Sequence, residues 1–286
     1  MKWQGRRGSS NIEDRRRSGG RGRRSVGGIG GIAGVLILLA GWYFGVDTSQ
    51  FVDLGGNGTV QTSQSTEITP ADERAAEFVS VTLADTEEVW ADIFQRQVGE
   101  PYVPPTLVLF KGQTQSACGG ASAATGPFYC PPEEKAFLDT AFFTTLEQRL
   151  GAAGDFAAAY VVAHEIAHHV QNELGILGQV NQLRAQMSEA DSNAMSVRVE
   201  LQADCFSGIW ARAAQARFNS LERGDIAEAM NAAAQIGDDT LQRNAGQVVR
   251  PHTFTHGTSE QRQRWFARGY ESGNLADCDT FSATRL

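Results

Sequence analysis

Residues 160–172 read YVVAHEIAHHVQN, and this stretch decides the reading of the chain. It contains H-E-x-x-H as His164-Glu165-Ile166-Ala167-His168. On a helix, positions i and i+4 share one face, so both imidazoles can reach a single ion. Tyr160, Val161, Val162, Ile166, Ala167 and Val170 are apolar at helical spacing and would bury this helix. Glu165 is offset by about 100° around the helix axis. That places it beside an attacking water rather than on the metal, where a carboxylate can take up a proton. Histidine is scarce, with 5 in 286 residues. Two of them falling at this spacing around a glutamate is not what composition would give by chance. Imidazole nitrogens with an oxygen ligand suit zinc, and a catalytic site leaves one position open.

Two histidines need a third ligand. Residues 199–207 read VELQADCFS, with Glu200 and Asp204 at i and i+4. Leu201, Ala203, Cys205, Phe206, Ile209 and Trp210 show that this segment is also buried, and a buried acid needs a partner. Glu200 is therefore the expected third ligand, and Asp204 the acid that supports a zinc-binding histidine. The blander alternative is a solvated acidic face. His169 follows His168 but points about 100° away from the ligand stripe. His252 and His256 lie in PHTFTHGTSEQRQRWF. A histidine or arginine of this segment would stabilise the oxyanion formed when water attacks a carbonyl, and His256 is the candidate catalytic residue. Against this stands a plain capped helix, with Thr258 or Ser259 at the N-cap.

Around these segments the chain reads as few strands followed by many helices. Thr69-Pro70 opens a helix that runs through Phe78, Val79, Val81, Leu83, Val89, Trp90, Ile93 and Phe94. TLVLFKG (106–112), FYC (128–130) and KAFLD (135–139) read as short strands. Further helices are expected over 140–150, 155–174, about 181–217, 222–235 and 258–270. The pattern predicts an α+β domain in which helices dominate over a small sheet.

The formal charge of −8 hides an asymmetry: residues 1–24 hold nine Lys/Arg and two acids, so the remainder carries −15. Residues 26–46, VGGIGGIAGVLILLAGWYFGV, are uncharged. A helix of about 20 apolar residues spans a bilayer core. The reading is a cytoplasmic basic arm over 1–25, a single N-terminal transmembrane helix over 26–46 and a polar linker over 47–68. A metallopeptidase-type domain over 69–286 would then lie outside the cytoplasm. A cleaved signal peptide is the rival, though no A-x-A-like site follows the run. The basic arm would meet anionic membrane lipid, and no nucleic-acid partner is expected. Small-xxx-small spacing at Gly27/Gly31 and Gly30/Gly34 would permit a homodimer through the span, although glycine is common in membrane helices anyway.

Four cysteines are present: Cys118, Cys130, Cys205 and Cys278. An oxidising compartment suggests Cys118–Cys130, closing a Gly/Ala-rich loop, and Cys205–Cys278, tying the ligand segment to the C-terminus. A loop near 15 residues is stabilised by ~3 kcal/mol on closure. The alternatives are free thiols, or Cys205 as a simple core residue.

WQGRR and NIEDRR near the start, GPFYCPPEEKAFLDTAFF, VVAHEIAHHVQ, ELQADCFSGIWA and FTHGTSEQRQRWF together resemble the bacterial "putative neutral zinc metallopeptidase" family over nearly the whole chain. The Glu200-to-Asp204 segment also looks like that of gluzincin peptidases. The resemblance implies a zincin-like domain, one zinc ion held by His164, His168 and Glu200, support from Asp204, a protein or peptide substrate, and a place in the bacterial inner membrane. It supplies no particular substrate. The expected activity is peptide-bond hydrolysis with Glu165 as general base. The alternatives are a module that holds zinc without hydrolysing anything, or a metal-independent envelope scaffold.

Overall fold

In the computed structural model, residues 1–17, 67–122, 125–148 and 150–286 are described. Thr69 caps helix α1 (Pro70–Ile93), its hydroxyl accepting from the Asp72 amide while the Asp72 carboxylate accepts from the Thr69 amide. The main sheet has the order β1-β2-β6-β5, formed by Ile12–Asp14, Thr106–Phe110, Lys135–Asp139 and Phe128–Cys130. The first three are parallel, and β5 is an antiparallel edge. TLVLF is a continuous apolar run because both its faces are covered. Leu107 and Leu109 join the main core, while Val108 and Phe110 pack with Ala121, Cys130 and Phe137. Ala121 belongs to a hairpin of β3 (Gln113–Ser116) and β4 (Gly119–Ser122).

The helices follow: α2 (Phe142–Gln148), α3 (Asp155–Glu173), α4 (Ile176–Arg184), α5 (Glu189–Phe218), α6 (Asp225–Gln235), α7 (Asp238–Asn244) and α8 (Ser259–Ser272). Residues 156–171 of α3 are all buried, which makes it the central helix of the domain. Gly154 at its N-cap offers no side chain, and the Glu228 carboxylate from α6 accepts from the Phe156 amide at 3.1 Å instead. The expected helix-dominated α+β domain with a small sheet is present. The stretch expected as one helix over 181–217 is two, because Ser188 caps a new start by accepting from the Asp191 amide at 3.2 Å. The β3–β4 hairpin and α7 were not expected from sequence. Both are short and mostly polar and carry no long apolar period.

One component of the expected fold class is corrected. Among the described residues no helix is long and apolar enough to cross a membrane, so the transmembrane helix expected in the fold class is not found among them. The expected span 26–46 lies outside the described residues, as does the linker 47–68 up to residue 66. The basic head, read as an arm separated from the domain, is instead built into it through residue 17. β1 pairs in parallel with β2, Ile12 opposite Leu107. Arg6 grips Asp85 with two bonds of 2.6 Å. Arg7 meets Glu88 at 2.9 Å, Asn11 donates to Glu87 at 2.9 Å, and Arg16 donates to the Asp72 carbonyl at 3.0 Å. A strand cannot hydrogen-bond across a bilayer, so residues 1–17 and the domain share one side of any membrane. The charge count misled because it took residues 1–24 by themselves. Arg15 and Arg16 pair locally with Glu13 and Asp14, but Arg6, Arg7 and Arg16 also find acidic partners along α1, far away in sequence.

Helix α5 crosses α8 at very short range. A Cβ on Gly269 would stand 1.8 Å from the Cys205 carbonyl oxygen, and one on Gly208 would stand 2.1 Å from the Phe266 carbonyl oxygen. Both disulfides expected from sequence are formed, and Cys205–Cys278 bridges this crossing to the chain just beyond α8. Gly269→Ala should force the helices apart and cost ~1–3 kcal/mol or more, as overpacking does. Gly178 on α4 has open space around it, so Gly178→Ala should stabilise by up to ~1 kcal/mol through helix propensity. Denaturant midpoints of the two variants should move in opposite directions. A neutral Gly269→Ala would contradict the close crossing.

Candidate metal centre

The metal-facing stripe of α3 meets the middle of α5. His164 Nε2 lies 3.0 Å from Glu200 Oε2, and His168 Nε2 lies 3.4 Å from Glu200 Oε1. One ligand atom from each of His164, His168 and Glu200 falls within 4.8 Å of the others. All three residues named as ligands from sequence are thus brought together. His164, Glu165 and His168 are 7%, 8% and 9% exposed, so the site is sunk in the domain but reached by solvent.

The carboxylates set the charge balance of the site. Burial pulls the His164 pKa down, yet its bonds to Asp204 and Glu200 carry it up to about 10. Burial pushes Glu200 up, but the charges of His168 and His256 and the hydrogen bonds of His164 and His168 hold it well below the usual carboxylate range. Positive charge is favoured where the two imidazoles and the carboxylate converge. Two imidazole nitrogens and a carboxylate oxygen are a donor set that fits zinc. Glu165 sits outside this trio. Burial raises its pKa against the pull of the two histidines, which suits a group that must accept a proton near neutral pH.

Asp204 is fully buried and works from behind His164. Its Oδ1 comes within 3.0 Å of His164 Nδ1, off the line of an ideal hydrogen bond. It accepts from the Tyr160 hydroxyl at 2.5 Å, and from Arg262 Nε and Nη2 at 2.8 and 2.9 Å. Burial raises the Asp204 pKa, and the Arg262 guanidinium and His164 outweigh this and lower it. The acid is therefore held as an anion facing the imidazole.

His169 lies off the stripe, as its position predicts, and joins the scaffold. Its Nε2 donates to the Val103 carbonyl at 2.7 Å, which leaves Nδ1 to accept from the Tyr129 hydroxyl at 2.9 Å. Burial lowers its pKa, in keeping with a neutral ring. His256 is held near the site. The amides of Thr255, His256 and Gly257 all donate to Asp238 Oδ2, at 2.8, 2.7 and 3.0 Å, and its ring Nδ1 is 3.2 Å from Asp238 Oδ1. Its side chain remains 38% exposed. Burial lowers its pKa, but the nearby Glu200 and Asp238 carboxylates raise it overall. His252 is exposed, and its backbone carbonyl accepts from Asn193 at 3.2 Å.

Sequence reasoning missed Tyr160, Gln171, Gln202, Asp238 and Arg262. Tyr160 carried a usable signal, since it sits one turn before His164 on the same stripe, but it read as an apolar residue. Arg262 carried a faint one, three and four residues before Trp265 and Phe266 on the same helix face, but as one of three arginines in the segment it read as solvated.

The sequence pattern of the family described as "Putative neutral zinc metallopeptidase" matches residues 1–281. The chain is 45% identical over 287 residues to "Uncharacterized protein YpfJ" of Escherichia coli strain K12, covering 98% of this chain and 99% of that one. It is also 45% identical over 195 residues to "Uncharacterized protein Rv2575" of Mycobacterium tuberculosis strain H37Rv, covering 65% of each. No solved structure matches it. With the match running from the basic head to the last turns beyond α8, this chain belongs to the putative neutral zinc metallopeptidase family.

Proposed function

We propose that this protein is a zinc-dependent peptidase that hydrolyses peptide bonds of proteins or peptides, with one zinc ion held by His164, His168 and Glu200. The observation that carries this reading is the meeting of three ligand atoms within 4.8 Å beside a glutamate that is not one of them. Bound zinc would lower the pKa of water and polarise the scissile carbonyl. Glu165 takes the proton of the attacking water on its carboxylate and hands it to the departing amine. His256 donates a hydrogen bond to the carbonyl oxygen as negative charge develops there. Asp238 fixes the backbone and ring of that histidine, so the donor does not have to be ordered during the reaction. A purely structural zinc site has no use for the Glu165 base, which weighs against a non-hydrolytic zinc-holding module. The two disulfides support an oxidising compartment as the place of action.

Glu165→Gln should keep its zinc and lose ~10²–10⁴-fold in turnover, the usual worth of a general base. Glu200→Gln should lose or weaken zinc binding, and activity with it. Zinc stoichiometry and digestion of a peptide library, with and without chelator, measure both. Loss of metal from Glu165→Gln, with metal and activity intact in Glu200→Gln, would reverse the two assignments. A wild-type protein that holds zinc but cleaves nothing would leave the non-hydrolytic module standing.

His256→Ala should retain zinc while kcat falls by ~10²–10³, as removal of an oxyanion donor does. An unchanged kcat with a raised KM would assign His256 to substrate binding instead.

A further inference from the structure

His164 and His168 differ in what stands behind them. His164 faces a carboxylate that is part of an ion pair. His168 Nδ1 lies 2.9 Å from Oε1 of Gln171, a fully buried amide one turn further along α3. An amide can present either oxygen or nitrogen, so its orientation decides which ring nitrogen of His168 keeps its proton.

The surroundings fix that orientation. Gln171 Nε2 donates to the Val199 carbonyl at 2.8 Å, and a carbonyl can only accept. The same nitrogen donates to Gln202 Oε1 at 3.1 Å. Gln202 cannot turn round, because its Nε2 donates to the Cys278 carbonyl at 3.1 Å. The chain of donors therefore runs one way, from His168 through Gln171 and Gln202 to a backbone oxygen. Nδ1 of His168 must carry the proton. Nε2 is left with its lone pair, facing Glu200. Val199 immediately precedes Glu200, so one amide links the second histidine to the backbone that carries the third ligand. Cys278 is itself bonded to Cys205 on α5, which anchors the far end.

We propose that Gln171, oriented by Gln202 and the Val199 and Cys278 carbonyls, is the positioning residue that sets the tautomer of His168 and aims its Nε2 at the metal. The proposal rests on the zinc reading of this site. It is tested on the full chain by measuring the zinc dissociation constant in competition with a chromogenic chelator. Gln171→Met keeps the length and packing but removes the acceptor, and should weaken zinc ~10–100-fold, the usual effect of losing a partner behind a ligand. Gln171→Glu restores an acceptor for Nδ1 but turns its second oxygen on the Val199 carbonyl and Gln202 Oε1, so it should recover only part of the affinity lost in Gln171→Met. Gln202→Met leaves Val199 to hold Gln171 and should lose less than Gln171→Met. Zinc binding within threefold of wild type in Gln171→Met overturns the proposal. Nitrogen-15 NMR of histidine-labelled wild-type protein gives a second measurement that needs no variant: His168 protonated on Nδ1 is expected, and protonation on Nε2 alone overturns the proposal. Failure of wild type to bind zinc at all would defeat the metal reading itself, and is told apart by that control.

Discussion

The carboxylate of Asp204 has no exposure to water, and much of the helical half of the molecule is arranged around that fact. An unpaired buried charge would be strongly destabilising, and breaking such a pair by removing one partner typically costs ~3–5 kcal/mol. Here the acid receives Arg262 from α8 and Tyr160 from α3, and it faces His164. Three helices are thereby brought to one point. The arrangement needs α8 to approach α5 closely enough for a guanidinium stem to reach across, which is where Gly208 and Gly269 enter. Side chains at those positions would hold the helices apart and leave Asp204 without its counter-charge. The glycines, the ion pair and the orientation of the first histidine are one structural decision.

The sheet side of the domain is ordered by a different set of charges. The head reaches α1 through Arg6, Arg7 and Arg16, and adds β1 to the sheet beside β2. Asp85 is pushed up to about 6 by burial even with Arg6 against it, so this contact lies well inside the surface. Trp3 packs edge-on to Phe78 with ring centroids 5.4 Å apart. Residues that looked like a solvated basic tail thus complete a strand layer and cover the outer face of the first helix.

How much of this could be read from the sequence depended on whether a residue's partner was near it along the chain. His164, Glu165 and His168 were legible because one helical turn places them. Glu200 and Asp204 were legible because apolar neighbours announced a buried acid, and a buried acid needs a cation or donor. The strands at 106–110, 128–130 and 135–139 showed as apolar runs. The pairing of Arg6 with Asp85 spans 79 positions and leaves no local trace. Arg262 and Asp204 are 58 positions apart, and the arginine is polar in a polar segment. The fate of the basic head was misjudged for the same reason: a count of charges records how many there are, and nothing about the surface that answers them.

The polar side chains of α3 divide by direction. Tyr160 and His164 point towards α5 and α8. His168 and Gln171 point towards α5 and the chain beyond α8. His169 points the other way, to the edge strand and the Val103 carbonyl. Consecutive histidines at 168 and 169 are about 100° apart on the helix, so one faces the site while the other faces the sheet. A helix held on one side alone could still rotate and swing its ligands. Hydrogen bonds on opposite faces within a single turn remove that freedom, because any rotation that lengthens the His169 bonds also pulls Gln171 away from the Val199 carbonyl and Gln202 of α5. The rigidity a metal site requires comes here from neighbouring residues that do different jobs, and the second histidine of the pair contributes by staying away from the metal.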